Sequence, residues 1–388
     1  MVAITIGGPR ATRAQVHIDA MRGAAALIVA LGHARSLFFA SVTGTTAAGQ
    51  LTIGDEAVMI FFVLSGYLVG GSVSRDMAAD RWSWFDYLTK RMVRLWIVLI
   101  PAVFIGIGFD AIGVNFLAQH GSIYAAPPHQ SYVQDSLSDQ IKSVLIILGN
   151  LVFLQTIIVP TIGTNSALWS LSNEFWYYLL FPMGMLAVRY EKRPGHRVAY
   201  ALAVVLILWL IGGHASLLFL SWLLGAGVAV VPRMIPAARA RGTLVMTAIV
   251  FGAVFLGIKK CHLPLFIGEM VVALSVSALV YAIVCHTAPN QPSLYGWIAR
   301  WSSNLSYSLY LTHLPFLIFL CALINTPWQI AAFTAATFTK FLVSMVGALA
   351  LAAFVYYCFE SRTDVTRTFL GTSIRKYSAG AKKWFAAQ

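Results

Sequence analysis

The chain has 388 residues, of which 59 % are hydrophobic and 11 % charged, with a formal net charge of +13 at pH 7. An ordinary soluble domain carries roughly 25 % charged residues, so this composition excludes a water-soluble globule and indicates a membrane protein. Nucleic acid is not the partner that the positive charge implies, because the basic residues fall in short loops between apolar stretches, the pattern of the positive-inside rule.

The first predicted element is the helix IDAMRGAAALIVALGHARSLFF, residues 18–39, which carries Arg22 and His33. Eleven residues separate the two, about 16 Å of helical rise. Eleven steps of about 100° make three turns plus roughly 20°, so both side chains share one face. With Arg22 at a membrane surface, His33 comes near the middle of a hydrocarbon layer about 30 Å thick. A buried imidazole there is costly without a partner and marks a functional site, or else a histidine hydrogen-bonded to a neighbouring helix. The segment is long, carries three basic side chains and lacks a small-residue cleavage site, so it reads as a retained helix rather than a signal peptide.

Further predicted spans begin near residues 54, 92, 168, 199, 214, 243, 267, 303 and 333, giving an all-α polytopic protein of about ten transmembrane helices. The basic loops at 75–94, 189–197 and 233–241 and the tail from Arg362 belong together on the cytoplasmic side. They can do so only if the apolar stretch at 142–160 makes no full crossing, so it is expected to be re-entrant or interfacial on the outer side, with both termini cytoplasmic. Gly212-Gly213-His214 is a very tight turn between two spans. Residues 1–362 form the membrane domain, and the basic tail 363–388 is expected to lie against anionic lipid. The four cysteines, Cys261, Cys285, Cys321 and Cys358, are far apart in apolar surroundings, and they read as small buried hydrophobes rather than as disulfide or metal ligands.

Four more constellations can carry chemistry. In FFVLSGYLVGG, Phe61 to Gly71, the Ser65-Gly66 pair permits close helix approach and reads first as a packing motif. Arg91 and Arg94 share a helix face at i, i+3 at the cytoplasmic entry of the third span. Such a fork suits a multiply charged phosphate ligand, or else serves as a plain topology anchor. Glu174, in WSLSNEFWYY, places a carboxylate in the outer half of a span and requires a partner or an aqueous cavity. Ser306, Tyr310 and His313 fall at i, i+4 and i+7 and make a polar stripe on one membrane helix. Glu360, near the end of the last span, is best read as half of a salt bridge with Arg362 or a loop arginine.

These segments, together and in this order, resemble the acyltransferase-3 family of integral membrane O-acyltransferases. The resemblance runs from the R-x10-H helix through FFVLSGYL, the RxxR of Arg91 and Arg94, WSLSNEFWYYLLFP and SYSLYLTHLPF to the YCFESR stretch at Tyr357–Arg362, covering about residues 16–362. Where many members carry Gly-Val-Asp before the FF motif, this chain has Ala57-Val58-Met59, with Asp55 and Glu56 just upstream. The resemblance implies an enzyme of the stand-alone type, without a fused hydrolase-like domain. It would move an acyl group, most often acetyl from acetyl-coenzyme A, to a hydroxyl on a sugar of a surface polysaccharide, lipid-linked glycan or related acceptor.

On that reading the acyl-CoA phosphates are held by Arg22, Arg91 and Arg94. His33 acts as general base on the acceptor hydroxyl or carries the acyl group itself. Glu174 fixes the imidazole or binds acceptor hydroxyls, and Trp169, Tyr310 and His313 are the expected substrate contacts. No metal is expected. A proton-coupled secondary transporter is the alternative from another class, because ten spans with intramembrane His and Glu would also serve it. Acylation of a small secondary metabolite is the alternative within the enzyme reading.

Overall fold

Helices make up the regular structure, and no strand occurs among the described residues. The computed structural model describes residues 13–39, 53–125, 133, 136–286, 293–329 and 332–371. After α1 (Arg13–Phe38), α2 (Ile53–Ser65) runs through a π-helical turn (Gly66–Gly70) into α3 (Gly71–Ala78). α4 (Trp84–Ile112) opens on Ser83, whose hydroxyl accepts the Asp86 amide at 3.3 Å as an N-cap. Two short helices, α5 (Leu137–Gln140) and α6 (Val144–Leu151), precede α7 (Trp169–Met185), which passes into a second π-helical turn (Leu186–Tyr190). The remaining helices are α8 (Pro194–Ile211), α9 (Gly213–Val230), α10 (Ala237–Gly257), α11 (Leu265–Cys285), α12 (Leu294–Ile324) and α13 (Ala335–Cys358).

Among the described residues, nine helical stretches are long and apolar enough to cross a membrane. The chain is a multi-pass integral membrane protein. The tenth expected span, α7, falls outside that set, and its first two turns carry Ser170, Ser172, Asn173 and Glu174. The stretch at 142–160 contains only the eight residues of α6 before the chain turns at Phe153 and Thr156, both with positive φ. Eight residues rise about 12 Å, far short of a hydrocarbon layer of about 30 Å, so the segment makes no helical crossing. The tight hairpin is real: Gly212 alone separates α8 from α9, at φ +83°. The last helical stretch continues to Gly371, so the expected tail boundary at 362 falls within helix, and residues 372–388 lie outside the described ones. The cysteine expectation needs one correction. Cys285 and Cys321 are buried, but Cys358 is partly accessible and Cys261 is exposed beyond the end of α10.

The chain divides into two compact units, one of Met1–Gly32, Ser41–Ser74 and Leu179–Ser306, the other of His33–Ala40, Arg75–Tyr178 and Tyr307–Gln388. In the first unit, α2 and α9 meet backbone to backbone. A Cβ on Gly66 would stand 1.9 Å from the Trp222 carbonyl oxygen, and one on Gly225 would stand 1.9 Å from that of Val63. The Trp222 indole N–H donates to Ser65 Oγ at 3.2 Å, so the Ser65-Gly66 pair is the packing motif that its composition suggested. Two ion pairs with deeply buried carboxylates lie in the same unit. Lys259 Nζ is 3.9 Å from Glu56 Oε2, and His214 Nε2 is 3.1 Å from Glu269 Oε2.

In the second unit, the segment between α6 and α7 is held by side chains from both sides. Asp110 of α4 accepts the Thr164 amide and hydroxyl, each at 2.8 Å, and the Tyr124 hydroxyl at 3.2 Å. Gly163, at φ +57°, has no room for a side chain, because a Cβ would lie 2.1 Å from Asp110 Oδ2. Ser172 and Trp176 of α7 both donate to the Phe153 carbonyl, at 2.7 and 3.0 Å. The polar loop is thereby fixed to α4 and α7.

Candidate active site

Two of the helix-interior prolines, Pro315 and Pro182, each free a carbonyl that a side chain from another element then meets. Proline has no N–H, so the carbonyl four residues before it loses its helical donor. In α12, Pro315 releases the Leu311 carbonyl, and the buried Asn165 amide donates to it at 2.9 Å. In α7, Pro182 releases the Tyr178 carbonyl, which accepts the Tyr87 hydroxyl at 2.8 Å. In both places a side chain from another element replaces the missing bond, and each contact fixes one of the motif-bearing helices to its neighbours.

His313 sits on α12 with 0 % exposure, and its ring centroid lies 5.3 Å from that of His33 on α1, the planes inclined at 36°. His33 itself is half-buried. The ring of Tyr310 is 5.9 Å from that of His313, and its hydroxyl is 2.6 Å from Ser170 Oγ on α7. His33, His313, Tyr310 and Ser170 therefore form one contiguous polar group inside an apolar protein. Trp169 is the residue before Ser170 and opens α7. Of the polar stripe expected on α12, Tyr310 and His313 belong to this group. Ser306 donates instead to the Ser303 carbonyl in its own helix.

The arginine fork divides its labour. Arg94 Nη1 donates to Glu360 Oε1 at 2.5 Å, and its guanidinium lies over the Tyr307 ring at 4.8 Å. Glu360, 5 % exposed, also accepts the Ser308 hydroxyl at 2.6 Å and the Ser308 amide at 3.2 Å. The buried carboxylate is thus fully engaged, and Arg94 rather than Arg362 is its partner. Arg91 is half-buried, with its guanidinium 5.5 and 5.6 Å from the rings of Tyr87 and Tyr178. Its Nε is buried without a hydrogen-bond partner. Glu174 accepts the Tyr178 hydroxyl one turn along α7, so the same tyrosine touches both the carboxylate and the Arg91 face. Arg22 lies on α1 in the first unit, eleven residues before His33 on the same helix.

The sequence reading missed Ser170, Tyr178, Asn165 and Tyr307. A signal for Asn165 and Tyr87 was available in Pro315 and Pro182, each of which frees a helix carbonyl for a donor from elsewhere. Ser170 and Tyr307 are ordinary side chains whose partners are set only by how the helices pack.

The model of a family described as an acyltransferase domain matches residues 16–357. Among curated proteins, the chain is 24 % identical over 370 residues to a protein of Bacillus subtilis (strain 168) named "Putative peptidoglycan O-acetyltransferase YrhL", covering 85 % of this chain and 54 % of that one. The chain therefore spans about half the length of the curated relative that it matches. No solved structure matches it.

Proposed function

From its place in the acyltransferase domain family, to which this chain belongs, we propose that it is a membrane O-acyltransferase using an acyl-coenzyme A, with acetyl as the group moved. The acceptor is a hydroxyl on a cell-surface or lipid-linked glycan. Peptidoglycan is the first such glycan to test, given the name of the Bacillus subtilis relative.

The observation that carries the reading is the half-buried imidazole of His33 set against the buried His313. An imidazole works as a base near neutral pH, and in a membrane interior it needs a purpose. In the proposed reaction, the acceptor oxygen attacks the thioester carbon while His33 takes the hydroxyl proton. The C–S bond then breaks, and the thiolate regains a proton as free thiol. Acyl transfer by way of His33 itself would use the same ring as nucleophile.

Arg91 is the leading phosphate ligand, since its Nε has no hydrogen-bond partner, and Arg94 contributes only what its bond to Glu360 leaves over. The assignment of Arg22 to the donor side rests on the R-x10-H motif alone. Glu174, Trp169 and Tyr310 are assigned to the acceptor side.

Reconstituted full-length protein supplied with labelled acetyl-coenzyme A and peptidoglycan fragments tests this. The reading expects alkali-labile label on the glycan and release of free coenzyme A in equal amount. No ester and no thiol release with any glycan acceptor would overturn it, and proton uptake without ester formation would favour the transporter.

A further inference from the structure

The two nitrogens of His313 are unlike each other. Nδ1 lies 3.0 Å from the Leu309 carbonyl and 2.9 Å from that of Tyr310, one turn back on its own helix. Carbonyl oxygens only accept, so Nδ1 must carry the hydrogen, and in the neutral ring Nε2 is then a bare acceptor. That Nε2 is buried and has no hydrogen-bond partner. An unsatisfied buried acceptor is expensive, and one that persists calls for a donor to come. The neighbouring ring is His33, at 5.3 Å between centroids. A small rotation of His33 can close such a separation to an N–H···N bond of roughly 3 Å.

The burial gives the pair a direction. His33 is partly accessible, whereas His313 behind it has no exposed surface. A reacting hydroxyl therefore meets His33 first, with His313 as its backing. Flipping the His313 tautomer would set a lone pair against two carbonyl oxygens, so α12 holds the ring in one state.

We propose that His313 is a positioning residue that fixes the tautomer and angle of His33. The inference rests on the reading of His33 as the acyl-transfer base. Nε2 of His313 accepts the N–H of His33, which leaves the second nitrogen of His33 as a lone pair turned toward the acceptor hydroxyl. When the hydroxyl proton moves to that nitrogen, the acceptor oxygen bonds to the acyl carbon and the C–S bond breaks. The proton then passes from His33 to the departing thiolate. Alcohol and thioester become ester and thiol, and His313 ends the cycle neutral and unchanged. This is the orienting job that a carboxylate performs in hydrolytic triads, done here by an uncharged ring whose far side is held by backbone.

Two variants of the full-length protein separate this role from simple packing. His313→Gln keeps an acceptor near the place of Nε2, and His313→Leu fills the space without one. Acyl transfer in the leucine variant should fall about 100-fold or more in kcat, with the KM for acetyl-coenzyme A little changed, while glutamine should recover at least a tenth of the wild-type rate. Equal losses in both variants, or wild-type kcat in the leucine variant, would overturn the proposal. A second readout does not depend on variants that fold. In wild-type protein labelled with 15N at its nine histidines, the His33 ring should show a single tautomer with a hydrogen-bonded N–H, and a mixture of tautomers would overturn the proposal as well. Failure of the underlying reading looks different: His33→Ala would then retain transfer whatever is found at His313.

Discussion

Arg94 Nη1 of α4 and Glu360 Oε1, just beyond α13, are 266 residues apart in sequence and 2.5 Å apart in the structure. Their contact makes the two members of the RxxR pair unequal. Arg94 is tied into a buried network with Glu360 and Ser308, whereas Arg91, one turn earlier, lies over two tyrosine rings with its Nε unpartnered. The i, i+3 spacing that suggested a double clamp thus holds one arginine in an ion pair and one stacked on tyrosines, with its Nε unpartnered.

Glu360→Gln should destabilise the protein, because the amide cannot balance the charge of Arg94. Removing one partner of a buried pair costs about 3–5 kcal/mol, and the 32 % exposure of the Arg94 side chain places this case at the low end. A thermal melt in detergent should show a midpoint lowered by several degrees. An unchanged midpoint would mean that the pair is solvated and structurally idle.

Lysine substitutions distinguish the two arginines. Arg91→Lys should weaken acetyl-coenzyme A binding about tenfold or more, since a point charge replaces a planar fork and a charged hydrogen bond contributes roughly 1.5–3 kcal/mol. Arg94→Lys should reduce stability more than affinity. Calorimetric titration beside a thermal melt reads both quantities, and equal affinity losses in the two variants would contradict the division of labour.

The bond from Asn165 to the carbonyl released by Pro315 can be tested by a double-mutant cycle. Asn165→Leu should cost about 1–3 kcal/mol by leaving the Leu311 carbonyl unsatisfied. In a Pro315→Ala background the backbone supplies its own N–H, so the same change should cost markedly less. Additive penalties in unfolding measurements would show that the amide plays some other part.

Gly66→Ala and Gly225→Ala should each abolish stable expression, because the new methyl would meet a carbonyl oxygen at 1.9 Å in the packed α2–α9 contact. Gly227→Ala, which meets nothing within 4 Å, is the control and should express normally. Recovery of folded protein from membranes for all three would refute the close-approach account.

Much of the architecture was legible because a bilayer imposes long apolar helices and sorts basic loops to one side. The helix starts at 53, 194, 213, 265 and 335 all lie within a few residues of those read from the sequence. The short α6 confirmed what loop charge had required of residues 142–160. The site was legible as a set of residues and not as a set of contacts. His33 and His313 each stood out as a polar ring in an apolar helix, but 280 positions separate them and no local pattern reveals that they face one another. For Glu360 a salt bridge with Arg362 or a loop arginine was legible, and only packing selects Arg94 among them. Periodicity places a side chain on a face, and only tertiary packing chooses what that face meets.

The central claim is that His33 performs chemistry rather than anchoring the fold. Its most direct test is His33→Ala in full-length protein, with acyl transfer and acetyl-coenzyme A affinity measured on the same preparation. The account predicts transfer reduced at least 100-fold, with donor affinity within about twofold of wild type, since loss of a positioned base costs 10²–10⁴ in rate. Transfer at near wild-type rate by the alanine variant would contradict it.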